Sequence, residues 1–175
     1  MPAKIAELGE VMQLAFVPSD FDATLDFWVE KMGAGPFFIL TGQVPDWQTH
    51  RGQPTCPDLT IALGHWGDMQ IEIIAQHNDA PSTYKEWRDA GHEGLHHSCI
   101  VVNDIDHARR VCTQNGGQLL IEGGGAGAEW FYVDNGGGPG TILEVIRHSE
   151  QSGGLMKMIR EAAVDWDGAD PIRRI

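Results

Sequence analysis

The chain has 175 residues, of which 42% are hydrophobic and 21% are charged, a composition typical of one globular domain or of two small modules with a common core. Its 25 acidic and 12 basic residues give a formal net charge of −13. That charge disfavours nucleic acids and anionic membrane surfaces as partners, because both would be repelled. The three cysteines form no Cys-x-x-Cys pair. Their odd number and the absence of a signal-peptide pattern indicate reduced thiols in a cytoplasmic protein with no membrane span.

The first half of the chain alternates strand and helix patterns. Residues 1–10 are expected to form a short leader, and residues 11–17 a strand. Ser19 and Asp22 resemble an N-cap and its reciprocal carboxylate at the start of a helix. Further strands are predicted at 37–40, 59–63 and 69–74, and the last two form a hairpin. The intervening residues 42–57 are rich in proline and glycine, which predicts a loop of the length that often serves as a lid.

The second half repeats this order. A linker at 76–93 is expected to contain one helix that begins near Ser82. Strand 96–102 and helix 105–115 follow, and strands are predicted at 118–121, 130–133 and 142–146. We expect a duplicated domain at 11–148, with module 1 at 11–75, module 2 at 94–148 and a C-terminal helix or tail at 149–175.

Internal repetition supports the two modules. Superposing Gln13 on His97, an offset of 97 − 13 = 84, also places Asp20 on Asp104 without a gap. Each module ends in a strand with a central glutamate between aliphatic residues, Glu72 in the first and Glu144 in the second. Such a repeat identifies one duplicated unit.

Four polar residues occupy matching places in apolar strands: Gln13, Glu72, His97 and Glu144. Buried carboxylates are costly unless a cation pairs with them. Three oxygen ligands and one imidazole suit Zn²⁺, Ni²⁺, Co²⁺, Mn²⁺ or Fe²⁺. A single glutamate in a strand usually faces solvent, and a single strand histidine is usually structural. The occurrence of four at matched places therefore favours a metal site. His96 is expected to face the opposite side of the sheet and to be structural.

The pattern resembles the vicinal oxygen chelate superfamily, specifically the glyoxalase I and methylmalonyl-CoA epimerase group, over residues 11–148. The resemblance rests on Gln13-Leu14-Ala15-Phe16-Val17, Ile71-Glu72-Ile73-Ile74, Gly94-Leu95-His96-His97 and Gly140-Thr141-Ile142-Leu143-Glu144-Val145-Ile146. It implies an α+β fold in which two tandem βαβββ modules form a cupped, mostly antiparallel sheet around one divalent metal. It also implies the ligands Gln13, Glu72, His97 and Glu144, and Zn²⁺ is the first expectation because the Gln, Glu, His, Glu order is similar to zinc-type glyoxalase I.

The expected activity is that of a metal-dependent isomerase, epimerase or lyase, which moves a proton beside a substrate carbonyl through an enediolate-like intermediate. Glu144 is expected to be the base and Glu72 its counterpart. The expected partners are a small-molecule substrate and a second copy of the chain in a homodimer. The pocket candidates are aromatic and favour a hydrophobic or aromatic substrate: Phe37, Trp47, Trp66, Trp130 and Tyr132. Few basic groups are available for an anionic thiol cofactor: Arg51, Lys85, Arg88, Arg109 and Arg110.

Two other functions fit the same resemblance. A non-catalytic relative that sequesters a small molecule would lack stoichiometric metal. A ring-cleaving dioxygenase would require two histidines and one glutamate for iron, and Gln13 argues against that set.

Overall fold

The computed structural model describes residues 3–175, so the first two residues of the expected leader lie outside the described part of the chain. Residues 3–175 form eleven strands and four α-helices. The strands are β1 (Val11–Phe16), β2 (Phe37–Thr41), β3 (Trp47–His50), β4 (Gln53–Pro54), β5 (Leu59–Trp66), β6 (Met69–Gln76), β7 (Leu95–Val101), β8 (Gln118–Gly125), β9 (Ala128–Asp134), β10 (Ile142–Arg147) and β11 (Ile172–Arg174). The helices are α1 (Phe21–Asp26), α2 (Thr83–Asp89), α3 (Ile105–Gln114) and α4 (Glu150–Ala163).

One sheet contains all of these strands, in the order β11-β2-β5-β6-β1-β7-β10-β9-β8-β3-β4. Module 1 supplies β1-α1-β2-β5-β6 and module 2 supplies β7-α3-β8-β9-β10, so each is a βαβββ unit. The pairings of β1 with β6, of β7 with β10 and of β2 with β11 are parallel, whereas the other strand pairs are antiparallel. The expected α+β fold with a curved, mostly antiparallel sheet is confirmed.

The two modules meet along β1 and β7, which pair antiparallel. Leu14 pairs with Ser98 in this ladder, and these two residues are also equivalent under the offset of 84. An approximate two-fold axis therefore passes between them. Each module presents its first strand to the other, which places the matched polar residues near the centre of the sheet.

The first helix of each module begins at an equivalent aspartate. Asp20 accepts a hydrogen bond from the Ala23 backbone N–H at 2.9 Å, and Asp104 accepts one from the His107 backbone N–H at 2.8 Å. The predicted cap at Ser19 is therefore one residue too early. An aspartate at this position satisfies one of the unpaired N–H groups of the first turn.

Residues 42–57 are not the open loop that their composition predicts. They contain the short hairpin β3-β4, and β3 pairs antiparallel with β8 of module 2. The hairpin is also joined to the linker helix, since His50 Nε2 lies 3.0 Å and Arg51 Nε 3.1 Å from Glu86 Oε1. A segment of module 1 thus lies along the edge of module 2.

The segment after β10 packs against the sheet. Ile159 of α4 is fully buried in a cluster with Phe38, Leu40 and Leu63, and β11 adds a parallel strand to β2. The segment expected to be a C-terminal helix or tail thus contains a helix and a short strand, and both pack against the rest of the chain. None of the helices in residues 3–175 has the length and hydropathy needed to cross a bilayer.

Candidate metal centre

Four adjacent strands at the middle of the sheet each contribute one of the matched polar residues. Ala15 of β1 pairs with Glu72 on one side and with His97 on the other. In module 2, Cys99 of β7 pairs with Gln13 and with Glu144. Paired residues in a ladder lie on the same face of a sheet. The small side chains of Ala15 and Cys99 therefore leave room between the larger polar ones.

Three of these residues converge within one chain. Ligand atoms of Glu72, His97 and Glu144 all lie within 4.8 Å of one another. His97 Nε2 is 3.4 Å from Glu72 Oε2 and 3.3 Å from Glu144 Oε2. His97 is fully buried, and the two carboxylates are about nine-tenths buried. All three side chains belong to one chain, so their convergence needs no residue from a second copy.

Gln13 lies at the same centre with its amide oriented by a neighbour. Its Nε2 donates a hydrogen bond of 2.8 Å to Gln70 Oε1 on β6. Its Oε1 is buried and has no hydrogen-bond partner within residues 3–175. Gln13, Glu72 and Glu144 line one cavity, so the Gln13 side chain borders the same space as the carboxylates.

The donor atoms fit a divalent cation. Gln13 Oε1, Glu72 Oε2 and His97 Nε2 are buried without hydrogen-bond partners in the described part of the chain, although buried polar atoms are normally paired. Atoms that bind one ion at about 2.1 Å would lie roughly 3 to 3.4 Å apart, as the His97–glutamate contacts do. Oxygen ligands with one imidazole suit borderline ions such as Zn²⁺. Two carboxylates would neutralise its charge.

The carboxylates and the histidine perturb one another's protonation. Burial lowers the pKa of His97, but the adjacent carboxylates of Glu144 and Glu72 outweigh this effect and raise it to about 9. Burial raises the pKa of Glu72, and the charge of Glu144 adds to that rise. A proton on His97 therefore partly neutralises the carboxylate pair, and a cation would compete with that proton.

His96 does not face away from this centre, contrary to the expectation from strand alternation. In the β1–β7 ladder, Ala15 pairs with His97 and Phe16 with Leu95, so His96 is the extra residue of a β-bulge. A bulge lets two consecutive side chains approach the same side. His96 Nδ1 consequently lies 2.8 Å from His97 Nδ1, and both rings are fully buried.

A matching bulge occurs in β1. Val11 pairs with Ile100 and Gln13 with Cys99, so Met12 is the extra residue of this bulge. Met12 and His96 are equivalent under the offset of 84. Each module therefore carries an extra residue immediately before its metal-ligand candidate, and the two modules differ in the chemistry of that residue.

His97 is closed off on one side by aromatic rings. The ring centroid of Tyr132 lies 4.7 Å from that of His97, and Tyr84 Oη donates a hydrogen bond of 2.8 Å to Tyr132 Oη. Burial raises the pKa of both phenols well above their ordinary range, so they remain protonated. Tyr84 belongs to α2, and the linker helix thus forms one wall of the centre.

The open side of the centre is a cavity of about 80 Å³ beneath α4. Besides the polar residues, its lining is aliphatic or sulfur-containing and includes Met12, Leu63, Ile146 and Met156. His148 also lines it. A larger cavity of about 220 Å³ lies between α1, β6 and α2 and does not reach the carboxylates.

The expected aromatic pocket is not formed. Phe37 lies in the core beneath α1, and Trp47 and Trp66 are about half exposed. None of the five aromatic candidates lines the cavity beside the carboxylates, and Tyr132 alone among them contacts His97. These aromatic candidates are for the most part core and surface residues, and they do not form a pocket beside the carboxylates.

The basic candidates also lie elsewhere. Arg51, Lys85, Arg88 and Arg109 form ion pairs with carboxylates, and Arg110 is an exposed residue of α3. None of them lines the cavity. Among these five candidates, the centre therefore has no cationic side chain placed for a negatively charged thiol cofactor.

Sequence reasoning missed two polar neighbours of the centre, His96 and Gln70. The adjacent histidines are a signal for the first, but regular strand alternation places His96 on the opposite face because it does not include the bulge. Gln70 is polar, is nearly fully buried and precedes Glu72 by two residues, so its place on the same face could have been inferred. The catalytic roles assigned to Glu72 and Glu144 remain predictions.

Solved structures share this fold. A hypothetical protein from Bacillus halodurans is 20% identical, with a TM-score of 0.56 over 82% of this chain and 96% of that one. Methylmalonyl-CoA epimerase from Mycobacterium tuberculosis is 15% identical, with a TM-score of 0.56 over 84% and 93%. A single-residue variant of the epimerase from Streptomyces coelicolor, in complex with 2-nitronate-propionyl-CoA, is 16% identical, with a TM-score of 0.53 over 81% and 99%. At these identities the likeness extends to the fold alone.

No curated protein gives a significant match to this sequence. A family model does match residues 12–133, which is more than half of the chain, and it is described as the Glyoxalase/Bleomycin resistance protein/Dioxygenase superfamily. The match includes Gln13, Glu72 and His97 and ends before Glu144. The chain belongs to the Glyoxalase/Bleomycin resistance protein/Dioxygenase superfamily.

Proposed function

We propose that this protein is a divalent-metal-dependent isomerase or epimerase that moves a proton on the carbon beside a substrate carbonyl. The observation that carries this proposal is the pair Glu72 and Glu144, each within 3.4 Å of one buried histidine. The methylmalonyl-CoA epimerases among the similar structures support an activity of this kind.

The approximate two-fold axis between Leu14 and Ser98 supports complementary roles for the two glutamates. They come from equivalent strands of the two modules, so they approach the centre from opposite sides. Glu144 would remove the proton from one face of the substrate carbon, and Glu72 would return a proton to the other face. Such a pair inverts a stereocentre or shifts a proton between neighbouring carbons.

Gln13, Glu72, His97 and Glu144 would hold the metal, with Zn²⁺ as the first candidate. Bound there, a divalent ion supplies a Lewis acid that polarises the substrate carbonyl oxygen. The residues around the ion fix the approach of the substrate. Tyr132 blocks the histidine side, and the cavity beneath α4 leaves the carboxylate side accessible.

The cavity wall favours a small aliphatic carbonyl group as the reacting part of the substrate. Met12, Leu63, Ile146 and Met156 offer apolar contacts. A hydrophobic substrate is therefore retained from the sequence-based hypothesis, whereas an aromatic one is not. The ligand set contains two carboxylates and only one histidine, which also disfavours ring-cleaving iron chemistry with its requirement for a second histidine ligand.

Proton exchange in D₂O tests the proposal directly. The zinc-loaded protein is incubated with small aliphatic ketones, aldehydes and thioesters that carry a proton on the carbon beside the carbonyl, and loss of that proton is followed by NMR. We expect catalysed exchange with at least one of these carbonyl compounds. The Glu144→Gln variant should lose about 10²- to 10⁴-fold of the rate, which is the usual contribution of a general base.

Glu129→Gln is the matched control, because Glu129 lies on the neighbouring strand β9 and pairs with Arg109 and Arg147 rather than with the centre. It should exchange protons at the parental rate. Full activity of Glu144→Gln would exclude the base assignment. A protein that binds no stoichiometric metal but retains a small hydrophobic ligand would instead be a sequestering relative.

A further inference from the structure

We propose that His96 is a positioning residue that fixes the tautomer of His97 through a hydrogen-bond relay from the linker helix, so that His97 Nε2 offers its lone pair to the metal. This inference rests on the proposed metal centre and concerns a residue that does not itself contact the metal. It deepens that proposal by assigning the second histidine of the pair.

The relay begins at a backbone carbonyl group, which can only accept a hydrogen bond. The backbone carbonyl oxygen of Thr83, the first residue of α2, lies 3.4 Å from His96 Nε2. A carbonyl has no proton to give, so this hydrogen bond requires the proton of His96 to be on Nε2. No carboxylate contacts His96 among the interactions of residues 3–175, and full burial keeps its ring neutral.

A neutral ring with its proton on Nε2 presents an acceptor at Nδ1. That atom is 2.8 Å from His97 Nδ1, and two facing lone pairs would repel each other at this distance. His97 must therefore donate from Nδ1. Its Nε2, which faces Glu72 and Glu144 at 3.4 and 3.3 Å, is the nitrogen that remains to bind a cation once its proton has left.

The surrounding rings hold His96 in place. Its ring centroid lies 5.3 Å from that of Tyr84 and 5.2 Å from that of Trp87, and both of these residues belong to α2. Trp87 is itself anchored, because its Nε1 donates a hydrogen bond of 3.1 Å to the Val17 carbonyl. The β-bulge turns His96 towards His97, and α2 prevents its ring from turning away. The linker between the modules thus orients a ligand of the centre.

Module 1 supplies an internal comparison. Its residue equivalent to His96 is Met12, which also occupies a bulge but has no ring nitrogen to accept a hydrogen bond. Gln13, its ligand candidate, is oriented by Gln70 instead. A histidine ligand requires a hydrogen-bond partner for its second ring nitrogen, which orients the ring. An amide ligand has no second ring nitrogen and needs no such partner. The module with a histidine ligand therefore has a histidine in its bulge, and the module with a glutamine ligand has a methionine there.

The test compares His96→Phe with His96→Asn. Phenylalanine retains a ring but removes the acceptor, and asparagine places an amide oxygen close to the position of Nδ1. Zinc affinity is measured by competition with a chelator. Loss of a partner that orients a metal-bound histidine typically weakens affinity 10- to 100-fold, and we expect a loss in about this range for His96→Phe. The His96→Asn variant should recover most of it.

His92→Phe is the control, because His92 also stacks on Trp87, at 4.8 Å, but is exposed and outside the relay. It should leave zinc affinity unchanged. The proposal is overturned if His96→Phe binds zinc as tightly as the parent, or if His96→Asn is as weak as His96→Phe.

A measurement on the unmodified protein keeps the proposal testable even if a variant does not fold. Long-range ¹H–¹⁵N correlation spectra of the zinc-loaded protein report which nitrogen of each histidine carries a proton. The relay requires protons on His96 Nε2 and on His97 Nδ1. A proton on His96 Nδ1 would overturn it. This readout does not involve catalysis, so failure of the isomerase proposal would leave it unaffected.

Discussion

Gln13 and Gln70 form a buried pair in which the amide Nε2 of Gln13 donates to the amide oxygen of Gln70 at 2.8 Å. The pairing occupies the donor end of the Gln13 amide, and its buried oxygen has no hydrogen-bond partner among residues 3–175. In module 2 the residue paired with His97 is Ile142, where module 1 pairs Gln13 with Gln70. The approximate symmetry is therefore broken where the ligand type changes.

Gln70→Ile should weaken zinc binding without changing its stoichiometry. The substitution introduces the module 2 residue type and removes the acceptor for Gln13, whose amide can then rotate. We expect an affinity loss of about 10- to 100-fold, as for other residues that orient metal ligands, measured by chelator competition. Gln118→Ile, on the exposed start of β8, is the control. Unchanged affinity in Gln70→Ile would mean that Gln13 does not bind the metal through its oxygen.

The metal-free protein should lose stability as the pH rises towards 9. The pKa of His97 is raised to about 9 in the folded chain, above the ordinary value near 6.5. The folded state therefore binds this proton more tightly than the unfolded state, which stabilises the fold fully below about pH 6.5. That contribution disappears as the pH passes through 9. Urea unfolding of metal-free protein between pH 6.5 and 9.5 measures it.

His97→Gln removes the titrating group and should flatten this pH dependence in the same experiment. A metal-free parent whose stability is constant or increases over this range would contradict the expected proton on His97. The same proton must leave when zinc binds. Zinc affinity should accordingly increase with pH over the window, and calorimetry in buffers of different ionisation enthalpy should detect proton release.

The thiols should differ sharply in reactivity. Cys56 is exposed, whereas Cys99 and Cys112 are buried. Burial, together with the charges of Glu144 and Glu72, raises the pKa of Cys99 well above its ordinary range, and burial raises the pKa of Cys112. A thiol-specific chromogenic reagent should therefore titrate one thiol in the native protein and three in denaturant. Rapid labelling of Cys99 in the native state would mean that the cavity beneath α4 opens readily.

Removing the anchor of α4 should reduce global stability. Ile159 is fully buried against Phe38, Leu40 and Leu63, so Ile159→Ala leaves a cavity that the sheet cannot fill. We expect a loss of about 2 to 5 kcal/mol in the free energy of unfolding, measured with urea. Met158→Ala is the control, because Met158 is 39% exposed and should cost less than about 1 kcal/mol. Equal effects would show that α4 does not contribute through this contact.

The central strands and their four polar residues could be predicted because their signals are local. Alternation places Glu72 and Glu144 each on the face of its strand opposite to the neighbouring aliphatic residues. The repeat places Gln13 at the position equivalent to His97. The bulge at His96 could not be predicted in this way, since it depends on the register of β7 against β1, a strand far earlier in the chain. The same limit applies to β3, whose partner β8 lies in the other module.

The composition of the cavity wall was also beyond local reasoning. Aromatic residues are large and apolar wherever they occur, so their presence does not distinguish a binding pocket from the core. Trp66 is about half exposed at a hairpin turn, and Phe37 is enclosed beneath α1. Met156 reaches the cavity only because α4 folds back across the sheet, which no pattern within the helix indicates.

A chain made of two similar halves could in principle assemble one half at a time. The hairpin β3-β4 argues against that order here, because module 1 contributes a strand to the outer edge of module 2 and ties itself to Glu86. Either half produced alone would lack a neighbour along β1 or β7, and module 2 would also expose the β8 edge. Cooperativity between the halves is therefore built into the strand order, and unfolding should proceed as a single transition.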